Sequence, residues 1–117
     1  MAKAQRILYL DFFIEYCHIS HNTNIGEDTA IIANSMIGGS VNVGSQAWLA
    51  PSSSIINGVT IAQKSQIGMG SVVVKPVMEN ETVLGTPARS MENFRKLQKA
   101  LKAFSEAEDE KRSKKDV

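Results

Sequence analysis

Aliphatic residues recur every six positions along most of the chain: Ile19, Ile25, Ile31, Ile37, Val43, Leu49, Ile55, Ile61, Ile67 and Val73. Stepping back gives Phe13 and Ile7, so the register begins near residue 7; stepping forward it stops at Glu79. A second set lies four residues after each member: Thr23, Thr29, Ser35, Val41, Ala47, Ser53, Val59, Ser65, Ser71 and Val77, all small or β-branched. Glycine recurs just after the aliphatic position, at Gly26, Gly38, Gly44 and Gly68. A period of six fits neither an α-helix nor one long strand. It predicts a short strand and a turn, repeated, with the large aliphatic residue pointing inward. The small residue points inward where the corner leaves less room, and glycine and asparagine supply turn backbone with φ > 0. Three such sides close a triangular coil of 18 residues, and stacked coils form parallel sheets at about 4.8 Å per layer. Antiparallel strands with regular turns space their turns at roughly 8–12 residues and less uniformly.

Residues 18 apart share a column in such a coil. His21 stacks over Gly39, Asn57 and Lys75; His18 over Met36, Ser54 and Val72; Ser20 over Gly38, Ile56 and Val74. The last two columns point outward yet carry apolar residues. Ile14 with Ile32, and Phe12 with Trp48, form two more such columns. Apolar columns on the outside imply a partner surface, and about four coils make a small core that self-association would enlarge. Beyond the coils, Gly85-Thr86-Pro87 marks a turn. Ser90 is a candidate N-cap for a helix over residues 90–110, followed by a solvated tail over 111–117. Phe94, Leu97, Leu101 and Phe104 form a narrow seam on that helix. The seam has two dispositions open to it: against its own coil stack, or against copies of itself at a symmetry axis. The β-helical unit with its closing turn covers residues 7–89.

Composition changes this picture little. A net charge of +1 offers no global field for nucleic acid or an anionic membrane. No apolar run approaches the roughly 18 residues of a membrane span, and Asp11 and Glu15 interrupt the N-terminal apolar stretch, which reads poorly as a signal peptide. Cys17 is the single cysteine and cannot close an intramolecular disulfide, so a reducing, cytoplasmic address is expected.

The repeat identifies the chain as similar to the left-handed parallel β-helix (hexapeptide-repeat) acyltransferases. The resemblance, not the spacing, implies the left hand, which departs from the crossover rule for parallel strands. The fold class expected is therefore an all-β solenoid, a left-handed parallel β-helix of about four coils with a C-terminal α-helix. The resemblance also implies a homotrimer.

Both histidines lie in "HISHNTNIG", His18 to Gly26. They fall in different columns, and a catalytic zinc needs about three protein ligands, so no metal is expected. The stretch "HISHNTNIGEDTAIIANSMIGGSVNVG" resembles the UDP-acylglucosamine N-acyltransferases of lipid A synthesis and the sugar N-acetyltransferases. There the motif Ile-Ala-His-Asn carries the catalytic base. Matched residue by residue to Ile19-Ser20-His21-Asn22, that resemblance puts the role on His21, with Ser20 in place of alanine. A neutral imidazole can take a proton from an attacking amine or hydroxyl, and a backbone N–H at a turn can stabilise the oxyanion. Asn22, and Asn57 where those enzymes carry a second histidine, are candidate acceptor contacts.

"IGMGSVVVKPVMENETVLGTPAR", Ile67 to Arg89, looks like the closing coil of acetyltransferases that use coenzyme A. That likeness implies a pantetheine arm along Gly68, Gly70 and Ser71 and phosphate contacts at Lys75 and Arg89. A structural cap on the solenoid would use the same residues. Trp48 could stack on adenine or contact another subunit. The expectation is acetyl transfer from acetyl-CoA to an amine or hydroxyl of a sugar-like acceptor. A non-catalytic trimeric scaffold or binding module is the alternative.

Overall fold

The computed structural model describes residues 6–7 and 16–115. Within them the chain winds through two-residue strands separated by turns: β1 (Arg6–Ile7), β2 (His18–Ile19), β3 (Asn24–Ile25), β4 (Ala30–Ile31), β5 (Met36–Ile37), β6 (Asn42–Val43), β7 (Trp48–Leu49), β8 (Ser54–Ile55), β9 (Thr60–Ile61), β10 (Gln66–Ile67) and β11 (Val72–Val73). From β2 to β11 every third strand pairs in parallel, and β1 pairs with β3, which gives three sheets around one core: β1-β3-β6-β9, β2-β5-β8-β11, and β4-β7-β10 with two later strands. The pairing offset is 18 residues, as in His18 with Met36, Asn24 with Asn42 and Ala30 with Trp48. Ile7 pairs with Ile25, consistent with a register that begins near residue 7.

The core is the aliphatic series: Ile25, Ile31, Ile37, Val43, Leu49, Ile55, Ile61, Ile67 and Val73 are all buried. The second series is buried with it. Its hydroxyls each donate to a backbone carbonyl: Thr23 to Gly38 (3.2 Å), Thr29 to Gly44 (2.7 Å), Ser35 to Ile32 (2.7 Å), Ser65 to Ala62 (2.6 Å) and Ser71 to Gly68 (2.7 Å). A corner can therefore hold a polar residue at no desolvation penalty. Cys17 occupies the position one step before Thr23 in this series, and its thiol donates to the Ile32 carbonyl at 3.2 Å.

The turns differ from the expectation. Left-handed backbone falls three residues after each aliphatic residue, not one: Asn22, Asp28, Asn34, Ser40, Gln46, Ser52, Gly58, Lys64 and Gly70 all have φ between 56° and 78°. The glycines at 26, 38, 44 and 68 have no positive φ. They are glycine for want of space. A Cβ on Gly44 would stand 2.5 Å from the Gln63 nitrogen, and one on Gly26 would stand 2.6 Å from the Gly44 carbonyl carbon.

The rhythm also continues past Glu79, displaced by two residues. Val77 bridges to Ile61 and Val83 pairs with Ile67, both offset by 16 residues. Both valines are buried. The cause is Pro76, which stands where Asn22, Ser40 and Gly58 turn the corner with positive φ. Proline is locked near −65°, so the chain takes a shorter corner there. Asn80 (φ 61°) then restores the turn three residues after Val77.

The closing strand β12 (Thr82–Gly85) pairs with β10, and β13 (Ala88–Ser90) folds back antiparallel on β12. This hairpin covers the bottom edge of its sheet. The Ser90 hydroxyl then accepts the Asn93 N–H at 3.2 Å, capping helix α1 (Met91–Lys115). The helix runs beyond residue 110 to Lys115. Lys111 pairs with Glu108 (3.6 Å), and Arg112, Lys114 and Lys115 suit the negative end of its dipole. Phe94 packs over Gly85, but no helix residue is buried, and Leu97, Leu101 and Phe104 are exposed. Only the first residue of the seam, Phe94, rests on its own fold; Leu97, Leu101 and Phe104 do not.

Met36, Trp48, Ile56 and Val74 are exposed on the outer faces, as the column reading expects. Phe12, Phe13 and Ile14 lie outside the described residues, as does the end of the tail at 116–117.

Ile37 is fully buried at mid-stack, and its replacement leaves a cavity that a stacked backbone cannot collapse around. Ile37→Ala is expected to lower unfolding free energy by roughly 2–5 kcal/mol in urea denaturation. A loss below about 1 kcal/mol would contradict this packing.

Candidate functional site

His21 occupies the corner between β2 and β3 and is exposed. Its backbone is held by the coil below, where the Ser40 N–H donates to the His21 carbonyl at 3.0 Å. The neighbouring Asn22 amide donates to the Ser40 hydroxyl at 3.0 Å. The imidazole lies over Gly39, so that a Cβ added there would be 3.0 Å from Cε1 and 3.1 Å from Nε2. One coil further down, Asn57 Oδ1 accepts the Gly39 N–H at 2.9 Å. The amide beneath the ring is therefore already committed.

Below Asn57 stands Lys75, at the foot of the same column. The hairpin turns Arg89 back toward it. Lys75, Pro76, Glu81, Arg89 and Asn93 line one cavity of about 340 Å³, and Val74, Lys75, Pro87, Arg89 and Asn93 line an adjoining one of about 270 Å³. The first turn of α1 contributes Asn93, and a helix N-terminus carries partial positive charge. Two cations and a helix start outweigh the single carboxylate of Glu81 in this cleft.

The remaining donor-side residues sit differently. Gly70 is an open corner with φ 70° and nothing within 4 Å of an added Cβ. Gly68 is covered by Leu84, whose Cδ1 fills the place of a Cβ. Ser71 is fully buried, donating to the Gly68 carbonyl and accepting the Gly85 N–H at 3.3 Å. Ser71 therefore shapes the coil from within, whereas Gly68 is half-buried beneath Leu84.

Two further hollows lie on the sheets. Along β3-β6-β9 runs a groove of about 470 Å³, with Asn24, Asn42 and Thr60 on one side and Gly26, Gly44 and Ala62 as its floor. The Asn24 amide donates to Asn42 Oδ1 at 2.7 Å, tying the wall together. On β4-β7-β10, Trp48 lines a hollow of about 410 Å³ with Asp28, Gln46 and Gln66. Trp48 thus lines a hollow separate from the basic cleft, on the sheet whose edge strand β13 carries Arg89. His18 is exposed on β2, in register with Met36. Among the described residues no group of three or more His, Cys, Asp or Glu could hold a metal ion, and no helix is long and apolar enough to cross a membrane.

Sequence reasoning placed Gly39 beneath His21 but gave it no role, and it read Gly38 only as a turn residue.

No family model matches the chain. It is 33% identical over 91 residues to an acyl-(acyl-carrier-protein)–UDP-N-acetylglucosamine O-acyltransferase of Pseudomonas entomophila, covering 76% of this chain and 35% of that protein. Among solved structures it superposes on the serine acetyltransferase of Neisseria gonorrhoeae in complex with serine, with a TM-score of 0.69 and 26% identity over 74% of this chain and 39% of the other. A serine acetyltransferase in complex with CoA superposes with a TM-score of 0.66 and 26% identity, covering 77% of this chain and 39% of the other. The chain thus spans little more than a third of the length of these relatives. The structural neighbours are left-handed β-helices, and this coil shares their hand.

Gly38 and Gly39 separate two kinds of close approach. A Cβ on Gly38 would meet the Asn57 nitrogen at 2.7 Å and the Ile55 oxygen at 2.8 Å, both backbone atoms that cannot swing aside. Gly38→Ala is expected to lower stability by roughly 1–3 kcal/mol, read by thermal or urea unfolding; unchanged stability would mean that the coils are not stacked this tightly.

Proposed function

We propose that this chain, a hexapeptide-repeat left-handed β-helix whose sequence relatives are acyltransferases, transfers an acyl group, most simply acetyl from acetyl-CoA, to an amine or hydroxyl of a sugar-like acceptor. One observation carries the reading. His21 heads a column whose foot is Lys75, beside Arg89, and both cations line the same cleft. Three layers at about 4.8 Å separate the two ends, roughly 14 Å in all. An extended pantetheine arm can bridge that distance, with its phosphates at Lys75 and Arg89 and its thioester near His21. Gly70 is an open corner on a different edge of the solenoid, between β10 and β11.

In this reading the His21 imidazole removes the proton as the acceptor nitrogen or oxygen attacks the thioester carbonyl. The new C–N or C–O bond forms, the C–S bond breaks, and coenzyme A leaves as the thiol once the proton is delivered to sulfur. No covalent enzyme intermediate is needed. Asn22 stands next to the base and can contact the acceptor. The exposed apolar residues Met36, Ile56 and Val74 support assembly into a homotrimer, which would supply the second wall of an otherwise open site.

The test is thiol release from acetyl-CoA and longer acyl-CoA thioesters with a panel of amino sugars and sugar alcohols. Turnover is expected, with His21→Gln lowering kcat by roughly 10²–10⁴-fold. Lys75→Ala and Arg89→Ala are expected to raise KM for the thioester and leave kcat nearly unchanged. Absence of turnover with every acceptor, together with no thermal shift at millimolar coenzyme A, would sink the enzyme reading and leave a non-catalytic trimeric scaffold.

A further inference from the structure

Gly38 and Gly39 are consecutive, and neither has the positive φ that calls for glycine. Both are bare for reasons of space, in opposite directions. Gly38 makes room for Asn57 from the coil below, whose Oδ1 occupies the place of a Cβ. Gly39 makes room for His21 from the coil above, with Cε1, Nε2 and Nδ1 lying 3.0, 3.1 and 3.5 Å from that place. Of the ten positions two residues after an aliphatic core residue, from His21 to Lys75, only Gly39 is glycine. It is the one directly beneath the histidine.

We propose that Gly39 and Asn57 are positioning residues for His21: Gly39 is a bare seat for the imidazole, and Asn57 is the clasp that fixes the seat. The proposal rests on the reading of His21 as the base. An exposed histidine on a turn is free to rotate about both side-chain torsions, whereas a base must hold one ring nitrogen within hydrogen-bond reach of the acceptor. A flat contact on bare backbone removes much of that freedom. The seat itself is held on both sides. Its N–H donates to Asn57 Oδ1 at 2.9 Å, and its carbonyl accepts the Gly58 N–H at 2.9 Å. The histidine's own peptide is tied to the same coil through Ser40. Ring, seat and clasp thus run down one column through three coils.

Two measurements on the full chain decide this. The first is independent of activity. The His21 ring current is expected to displace the NMR resonances of the Gly39 α-protons, and His21→Gln is expected to abolish that displacement. Identical Gly39 resonances in the two proteins overturn the seat. The second is kinetic. Gly39→Ala keeps an allowed φ, so its Tm is expected to stay within a few degrees of wild type. Its methyl lifts the ring, so kcat should fall about 10–100-fold with KM for both substrates within about twofold. Asn57→Ala should lower kcat by a smaller factor, and Asn57→Asp, which keeps an acceptor for the Gly39 N–H, should recover most of the loss. An acceptor-binding role for Asn57 would instead move KM for the acceptor, and that result overturns the clasp. Wild-type kcat in Gly39→Ala, with His21→Gln inactive, overturns the positioning role and leaves the base standing. Wild-type turnover in His21→Gln removes the base, and the positioning role with it.

Discussion

The fold depends on a residue that most chains avoid placing in quantity, a non-glycine residue in the left-handed region. Such backbone costs on the order of 1–2 kcal/mol at each site. Here it recurs every six residues, at side chains as unsuited to it as Gln46, Ser52 and Lys64. The offset is in the stack. From Ser40 to Gly70 the N–H of the corner residue donates to a carbonyl in the coil before it: Ser40 to His21, Gln46 to Glu27, Ser52 to Ala33, Gly58 to Gly39, Lys64 to Ser45 and Gly70 to Pro51, all at 2.9–3.0 Å. The strained conformation aims the N–H along the solenoid axis. A corner alone would be unfavourable, but a column of corners is stapled.

Pro76 shows what happens when one corner cannot comply. It has neither the dihedral freedom nor the N–H that the staple needs. The coil shortens by two residues, and Val77 moves into the column of Ile25, Val43 and Ile61. The same displacement sets β12 under β10, which lets the hairpin swing Arg89 toward Lys75. The basic cleft is thus a product of the irregular corner.

The core was legible because a period of six leaves few ways to bury ten aliphatic residues. The corner dihedrals were not, since Lys64 or Gln46 carries no local preference for φ > 0; only the neighbouring coil makes the conformation worthwhile. The glycines misled for the complementary reason. Composition cannot distinguish a glycine needed for its dihedral from one needed for its emptiness, and Gly26, Gly38, Gly39 and Gly44 are all of the second kind. Counting Val77 as a small-position residue also hid the two-residue step, because a valine satisfies both series. Of the candidate site, the motif singles out His21, and the column of 18 places Lys75 at its foot. Ser71 falls in the inward series of the repeat, and its burial follows from that series and not from the coenzyme A likeness.

This geometry also explains why a site can be built on so small a core. In a solenoid each exterior side chain rests on the residue 18 positions later, so its surroundings are set by a column and not by the packed interior. The interior series is almost invariant in size, whereas the column from His21 to Lys75 changes character at every layer: imidazole, bare backbone, amide, ammonium. Gly39 costs the core nothing, because the inward residues of its own coil, Ile37 and Val41, are unaffected by what lies on the outer corner. Chemistry and stability are therefore written on different positions of the same hexapeptide. They meet only at Gly38, where the clasp's side chain and the backbone of the coil below compete for the same space.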